Sequence, residues 1–253
     1  MNSTLKPSEN VKPYGIATKG KKEEVELMFD SISGRYDLLN HLLSMGIDKG
    51  WRRKAIDLLR NMHPATILDV ATGTADFAIA ALSTGAGQIT GIDISNGMLE
   101  VGRQKIKAQK LEDTICLIQG DSEALPFGDN SFDAVTAAFG VRNFENLKKG
   151  LTEMYRVLRP GGKVVILEFS RPKYFPVRQL YWFYFRSILP AVGRIISKDR
   201  SAYSYLPESV NAFPDGKDFL KILNASGFVN ESQKQLTFGI ASIYSGQKSR
   251  PNA

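Results

Sequence analysis

A regular alternation of short apolar runs and longer amphipathic stretches, which begins at residue 64, most constrains the fold. We predict strands over 65–70, 88–93, 114–119, 132–138 and 163–169, and two weaker strands over 228–233 and 240–246. Helical patterns separate them at 76–84, 97–110, 146–158 and 216–226. Near-continuous apolar strands joined by helices are typical of parallel sheets covered on both faces. The sequence therefore predicts an α/β fold with a doubly wound, Rossmann-like, mostly parallel seven-stranded sheet.

Two segments lie outside this alternation. Residues 23–60 are predicted to form helices that precede the sheet, and residues 171–207 form an insertion after the fifth strand. Residues 1–22 are rich in Lys, Pro, Ser and Gly and are predicted to be disordered. We expect a single domain over 23–253. The insertion would be a helical cap above the carboxyl ends of the strands, where ligands bind in such sheets.

Composition and charge exclude some classes of protein. One cysteine and two histidines are too few for an internal disulfide or a His/Cys metal site, so we expect no metal. Cys116 lies in an apolar run and is predicted to be a buried thiol. The net charge of +7 favours an anionic partner without choosing among nucleic acid, an acidic membrane surface and an acidic substrate. The N-terminus has no apolar core of signal-peptide length, and we find no apolar stretch of about 18 residues, so we expect a cytoplasmic protein without a spanning helix.

Small residues follow the first predicted strand, which contains Asp69, a candidate cofactor-binding residue. In the loop 71–76, Gly73 and Thr74 let the backbone approach a ligand, and the helix that follows adds the positive end of its dipole. The spacing does not fit the dinucleotide fingerprint, because the acidic Asp76 takes the place of its third glycine. A cofactor without phosphates is therefore favoured.

Acidic residues end the next two strands. Asp93 ends the second strand, where a carboxylate can accept hydrogen bonds from both hydroxyls of a ribose, although it could instead cap the following helix. Asp121 and Ser122 follow the third strand, where a side chain and a backbone N–H could bind the edge of an adenine. Because these groups meet at one edge of the sheet, together they favour a nucleoside-type ligand.

The same stretches resemble the motifs of class I S-adenosylmethionine-dependent methyltransferases. They read ILDVATGTADFA, GIDIS, GDSEALPF and RVLRPGGKVVILEFS. Three further stretches narrow the resemblance to the C-methyltransferases of quinone biosynthesis: YDLLNHLLSMGIDKGWRR, FGVRNFEN and YSYLPESVNAFPDG. The resemblance covers nearly the whole chain past residue 23. It implies that S-adenosyl-L-methionine is the cofactor and that the methyl acceptor is a ring carbon of a prenylated quinol. Demethylmenaquinol of menaquinone biosynthesis is the leading substrate, and the benzoquinol intermediate of ubiquinone biosynthesis is the alternative.

The resemblance carries over residue by residue. Thr74 matches the threonine of the glycine-rich loop, Asp93 the ribose-binding acid, and Asp121 with Ser122 the pair beside the adenine. Ubiquinone-type members often carry Ser where this chain has Ala138, which favours the menaquinone branch. Asp48 stands where the family usually has a histidine, so the resemblance assigns no role to it.

Methylation of a ring carbon requires a partly ionised ring hydroxyl, and a phenol has a pKa of about 10. Arg142 and Asn143 follow the fourth strand and could stabilise the developing phenolate, although Arg142 could instead form a structural ion pair. His41 and Tyr36 are candidates for the proton acceptor, as is Asp37. The alternatives are a core histidine and a tyrosine that packs in a lid.

The insertion suggests a membrane partner. Residues 171–200 contain seven basic residues, one acidic residue and seven aromatic residues, a composition that suits a membrane interface or a prenyl-tail channel. A packed cap with a basic rim fits equally well. Nucleic acid is disfavoured, because the fourth strand is not followed by an Asn-Pro-Pro-Tyr-like motif and there is no Pro-Cys nucleophile. We expect a peripheral protein at the inner face of the membrane, and the sequence leaves open a homo-oligomer. The remaining alternatives are another small-molecule or RNA methyltransferase and, least favoured because the pocket is intact, a non-catalytic scaffold.

Overall fold

The computed structural model describes residues 10–44, 46–184, 187 and 201–250, without the side chains of 38–43 and 203. Its helices are α1 (Lys21–Leu43), α2 (Ile47–Arg60), α3 (Asp76–Ala81), α4 (Asn96–Ala108), α5 (Leu147–Val157), α6 (Val177–Phe183), α7 (Ser201–Ala212) and α8 (Lys217–Ala225). Its strands are β1 (Thr66–Val70), β2 (Gln88–Asp93), β3 (Ile115–Gln119), β4 (Phe132–Ala138), β5 (Leu158–Phe169), β6 (Val229–Leu236) and β7 (Ala241–Gln247).

The strands form one sheet in the order β3-β2-β1-β4-β5-β7-β6, in which β7 alone runs antiparallel to its neighbours. The predicted fold class is confirmed. The strand order reverses between β1 and β4, so their carboxyl ends diverge and open a crevice there. β5 begins five residues before the predicted strand, because Leu158 pairs with Phe132 across a register shift.

Two apolar clusters cover the two faces of the sheet. Residues of α2, α3 and α4 pack on one face, and residues of α5 and α8 pack on the other. Cys116 is exposed, so the prediction of a buried thiol was wrong. β3 is an edge strand whose side chains alternate between buried and exposed, and position 116 faces outward.

A third apolar cluster joins α1 to the cap helices α6 and α7, through side chains that include Met28, Tyr181 and Tyr205. α7 thus lies above the carboxyl ends of the strands, as expected of the insertion. Residues 185, 186 and 188–200 of the insertion lie outside the described residues. In the part of the chain that the structure describes, no helix combines the length and apolarity that a membrane crossing needs.

The N-terminal segment differs from the predicted disorder. Residues 10–20 pack against α1, because the buried Glu24 carboxylate accepts hydrogen bonds from the backbone N–H groups of Tyr14, Gly15 and Ile16 at 2.7–2.8 Å. Val11 is buried in the third cluster. The disorder of 1–22 stays a prediction, although residues 10–22 are packed in this structure and Glu24 accepts hydrogen bonds from three of their backbone N–H groups. Residues 1–9 lie outside the described part.

Candidate active site

The loop after β1 has an unusual backbone. Ala71, Gly73 and Ala75 all adopt positive φ angles of 53°, 55° and 67°, a conformation that costs energy in a residue with a side chain. Asp69 supports the loop: its fully buried carboxylate accepts hydrogen bonds from Thr72 Oγ1 at 2.6 Å and Thr136 Oγ1 at 2.7 Å. Burial raises the pKa of Asp69 to about 6. Asp69 lines none of the cavities described below and holds the loop through these hydrogen bonds, so its role as a cofactor contact stays a prediction.

A cavity of about 630 Å³, which we name the strand-end cavity, opens at the carboxyl ends of β1, β2, β3 and β4. It is lined by Lys22, Val25, Phe29, Tyr36, Ala71, Gly73, Asp93, Ile94, Met98, Asp121, Ser122, Glu123, Ala138, Phe139, Gly140, Asn143, Phe144 and Glu145. The structure therefore brings together six predicted cofactor and catalytic positions: Tyr36, Gly73, Asp93, Asp121, Ser122 and Asn143.

Asp93 is half-buried in this cavity. Its carboxylate accepts hydrogen bonds from the backbone N–H of Gly73 at 2.8 Å and of Ser95 at 2.9 Å. Burial raises the pKa of Asp93 to about 6, although these bonds oppose the shift. The cap of α4 is Ser95, which accepts from Met98 N–H, so Asp93 is not needed for that role. Each oxygen of Asp93 retains a lone pair that a ligand hydroxyl could use.

α1 closes the other side of the strand-end cavity. Lys22 Nζ lies 2.7 Å from Asp121 Oδ2 and 3.4 Å from Glu123 Oε2. The other oxygen of Glu123 accepts hydrogen bonds from the backbone N–H groups of Glu145 and Asn146. The Asp121–Ser122 turn is thereby fixed between two strand ends and the first turn of α1.

Thr74 lies beside the strand-end cavity and lines a smaller neighbouring cavity. Its hydroxyl donates to Asp37 Oδ1, and Lys105 Nζ donates to Thr74 Oγ1 at 3.1 Å. Lys105 also pairs with Asp37 and with Asp76. Thr74 therefore ties α1 to the loop after β1, a role that the sequence did not predict. Asp37, considered as a proton acceptor, is engaged in this network.

A second cavity of about 770 Å³, the cap cavity, lies between α1, α2, α7 and the ends of β4 and β5. It is lined by Met28, Phe29, Ile32, Tyr36, Ser44, Asp48, Trp51, Arg52, Phe139, Arg142, Phe169, Ala202, Tyr205 and Leu206. The Phe139 and Phe169 rings lie with centroids 4.5 Å apart and planes tilted by 33°, and Trp51 and Phe169 pack edge to face. Part of the wall is thus aromatic.

The predicted catalytic arginine lies in the cap cavity. Arg142 belongs to a single 3₁₀ turn, Val141–Asn143, after β4. Its guanidinium donates to Glu168 Oε1 at 2.9 Å and to the carbonyl of Phe139, while its Nε–H is buried without a partner. Burial raises the pKa of Glu168, and Arg142 opposes that shift. The structural ion pair that the sequence left open for Arg142 is therefore present, with Glu168 as its partner, and Arg142 also lines the cap cavity.

A second buried ion pair lies on α2. Asp48 and Arg52 are paired one helical turn apart, and Ser44 Oγ donates to Asp48 Oδ1 at 2.6 Å. Only 3% of Asp48 and 7% of Arg52 are exposed. Like Arg142, Arg52 has a buried Nε–H without a partner.

The two cavities share three aromatic residues: Phe29, Tyr36 and Phe139 line both. Tyr36 packs edge-on against Phe29, with centroids 5.9 Å apart. A second connection is the hydrogen bond from Tyr205 Oη, in the cap cavity, to Asn143 Oδ1, in the strand-end cavity, at 3.1 Å. His41 lies within α1, and its side chain is outside the described part.

Sequence reasoning missed several residues that line the two cavities or pair with residues that do. Glu168 carried a usable signal, because a carboxylate in the apolar strand VVILEF needs a buried partner. Asp48 and Arg52 also carried a usable signal, because opposite charges four residues apart lie on one face of a helix and can pair. Lys22 and Tyr205 carried none, because they reach the cavities only through the positions of α1 and α7.

Comparison with solved structures defines the class. An S-adenosylmethionine-dependent methyltransferase from Thermotoga maritima, described as a possible histamine N-methyltransferase, matches with a TM-score of 0.61. The match has 17% identity and covers 88% of this chain and 99% of that one. This likeness shows that the chain has the fold of these methyltransferases.

Comparison of sequences defines the family. The model of the ubiE/COQ5 methyltransferase family matches residues 17–248. A demethylmenaquinone methyltransferase from Bacteroides fragilis is 50% identical over 243 residues, which cover 96% of this chain and 99% of that protein. A ubiquinone/menaquinone biosynthesis C-methyltransferase UbiE from Geotalea daltonii is 48% identical over 230 residues, 90% of this chain and 97% of that protein. The chain belongs to the ubiE/COQ5 methyltransferase family. The predicted family, the methyltransferase activity and S-adenosylmethionine as cofactor are confirmed.

Proposed function

We propose that this protein transfers a methyl group from S-adenosylmethionine to a ring carbon of a prenylated quinol, demethylmenaquinol, in menaquinone biosynthesis. The observation that carries the proposal is the junction of the two cavities at Phe29, Tyr36 and Phe139. A cavity with the carboxylates of Asp93 and Asp121 at its strand ends adjoins an aromatic cavity that is lined by two buried arginines. The demethylmenaquinone methyltransferase at 50% identity supports the choice of quinol.

The strand-end cavity fits the cofactor. The Asp93 carboxylate has free lone pairs for ribose hydroxyls, and Asp121 and Ser122 lie at the next strand end for the adenine. A Cβ on Gly140 would lie 2.5 Å from Ala71 Cβ, so the close approach of these two loops leaves no room for a side chain at position 140. S-adenosylmethionine, when bound, supplies a methyl group carried on a positively charged sulfur.

The cap cavity fits the acceptor ring. Phe139, Phe169 and Trp51 can fix the plane of the ring, and Arg142 can donate a hydrogen bond to the hydroxyl beside the reacting carbon. Loss of its proton leaves negative charge on that oxygen, which makes the ring carbon nucleophilic, and a fixed donor stabilises such charge. The Tyr205–Asn143 hydrogen bond holds Asn143 beside the junction, where it can orient the same oxygen or a water molecule. Tyr36 lies at the junction as a wall residue.

Transfer of labelled methyl to defined acceptors tests the substrate. The purified protein should methylate reduced demethylmenaquinol at a ring carbon, and faster than the demethylated benzoquinol. Ala138, which lines the strand-end cavity in place of the serine of ubiquinone-type members, is consistent with that order. Faster methylation of the benzoquinol would move the proposal to the ubiquinone pathway, and no transfer to either would refute it.

We also propose that the cap meets the membrane in which a prenylated quinol dissolves. α6 buries Tyr181 against the third cluster and exposes Leu180 and Phe183, and Phe175 just before it is 80% exposed. Exposed Lys173 lies in the same segment. Apolar side chains beside basic ones suit the surface of an anionic bilayer.

Co-sedimentation with vesicles tests this surface. The protein should bind phosphatidylglycerol vesicles more than phosphatidylcholine vesicles and be released by salt. Phe175→Glu should weaken this binding. Val229→Glu is the matched control, since Val229 is a partly exposed apolar residue at the far end of the sheet. Equal effects of the two variants, or no binding to either vesicle, would contradict the proposal.

A further inference from the structure

The Asp48–Arg52 pair has no assigned role, and its surroundings are unusual for a structural ion pair. Both residues are more than nine-tenths buried, and both line the cap cavity. Among the described residues that line this cavity, Asp48 is the only carboxylate. A buried charge pair is costly unless further hydrogen bonds satisfy it. Arg52 Nε–H lacks such a bond.

The two arginines of the cap cavity are arranged in a similar way. Arg52 lies over the Phe139 ring at 5.6 Å, and Arg142 lies over the Phe169 ring at 5.5 Å. These two rings pack against each other with their planes tilted by 33°. Each arginine is paired with one buried carboxylate, Arg52 also lies 3.8 Å from Asp76 Oδ2, and each arginine retains one buried, unpartnered Nε–H. Two arginines that line the cavity thus each carry an unused donor, and each lies over one ring of this aromatic pair.

We infer that Asp48 and Arg52 bind the second ring hydroxyl of the quinol, the one farther from the reacting carbon, while Arg142 binds the nearer one. This inference rests on the proposed function. A quinol ring carries two oxygens on opposite sides, so a site for it needs two polar groups separated by a flat wall. The far hydroxyl accepts a hydrogen bond from Arg52 Nε–H and donates its proton in a hydrogen bond to an Asp48 oxygen.

The Asp48 carboxylate makes binding at the Asp48–Arg52 pair depend on the oxidation state of the ring. A hydroxyl can donate to the Asp48 carboxylate, whereas a quinone carbonyl can only accept. A quinone oxygen placed there would face a carboxylate with no hydrogen between them. Asp48 and Arg52 are therefore positioning residues that favour the reduced ring, which is the form whose carbon is nucleophilic.

The test compares two acceptors. One is a short-chain prenylated naphthalenediol, and the other is the matching naphthol that lacks only the far hydroxyl. Wild-type protein should bind the diol more tightly, and Arg52→Lys, which keeps the charge but loses the Nε–H, should lower that preference by about tenfold. Asp48→Asn should likewise narrow the preference for the diol over its quinone. Binding is measured by calorimetry with the cofactor product present, and methyl transfer is measured in parallel.

Arg60→Lys is the matched control, because Arg60 lies on the same helix in an exposed ion pair with Asp57. It should leave the preference unchanged. Thermal unfolding and cofactor affinity are measured for each variant, since a purely structural pair would change stability without changing the ratio of the two affinities. An unchanged ratio in Arg52→Lys overturns the inference even if activity falls. If wild-type protein binds the diol but does not methylate it, the proposed function fails, whereas the affinity ratios still decide the role of Arg52.

Discussion

The strand-end cavity and the cap cavity adjoin each other but are built differently. The strand-end cavity is formed mainly by loops that leave β1, β2, β3 and β4, where backbone hydrogen bonds hold Asp93 and Glu123. The cap cavity is formed largely by helices, and the charged residues among those that line it are Asp48, Arg52 and Arg142, set among aromatic rings. Under the proposed function, loops at the edge of the sheet bind the methyl donor, whereas the packing of α1, α2 and α7 shapes the site of the acceptor.

This comparison predicts that variants in the two cavities separate turnover from cofactor affinity. The largest effect is expected for Arg142→Ala, which should lower turnover at saturating cofactor by about a hundredfold or more, the usual scale for one donor to a developing oxyanion. Cofactor affinity should change little, because Arg142 does not line the strand-end cavity. Single-turnover transfer of labelled methyl and calorimetry measure the two quantities.

The loss of Arg142 also leaves the Glu168 carboxyl buried without its partner, which could unfold the protein. Arg142→Met combined with Glu168→Gln removes both charges and serves as the stable companion variant. Arg142→Lys should be partly active. Intact turnover in the double variant, or a collapse of cofactor affinity in a folded variant, would show that Arg142 is structural.

The reverse separation is expected for Asp93→Ala. This variant should weaken S-adenosylmethionine binding by about ten- to a hundredfold, because a charge-assisted hydrogen bond is lost. Turnover at saturating cofactor should stay near that of the wild type. Asp113→Ala, in an exposed loop before β3, is the control. An unchanged affinity in Asp93→Ala would remove the ribose assignment.

Residues at strand ends could be predicted because they follow from the periodicity of the chain. The ends of β2 and β4 fall where the sequence predicts them, and this alone brings Asp93 and Arg142 to one edge of the sheet. The partners of these residues could not be predicted in the same way. Lys22 meets Asp121 across 99 residues of sequence, and this contact depends on where α1 packs.

The contacts of individual residues within a recognised motif could not be predicted either. Thr74 and Asp69 both belong to the predicted cofactor loop, yet hydrogen bonds direct Thr74 towards α1 and Asp69 into the sheet. A motif places a residue at a strand end, but the neighbouring side chains decide what it contacts.

A smaller effect is expected from pH. Burial raises the pKa of Asp93 to about 6, and the nearby Asp30 carboxylate adds to the shift. The ionised carboxylate is the stronger acceptor, so affinity for S-adenosylmethionine should fall by about tenfold from pH 7 to pH 5 as Asp93 takes up a proton. Asp93→Asn should remove most of this dependence. Asp69→Asn should retain it, because Asp69 does not line the cavity; the opposite pattern would assign the titration to the loop.

The smallest effect is expected for Lys22→Met, which removes the contribution of α1 to the strand-end cavity. The Lys22–Asp121 pair is about one-third exposed on each side, and a pair of this kind is worth at most about 1 kcal/mol. Affinity for S-adenosylmethionine should therefore change by about fivefold or less, and the difference from wild type should shrink as salt screens the pair. Calorimetry at low and high ionic strength measures both quantities. A loss as large as that of Asp93→Ala, insensitive to salt, would mean that α1 binds the cofactor as directly as the strand ends do, and the distinction between the two cavities would then rest on the acceptor side alone.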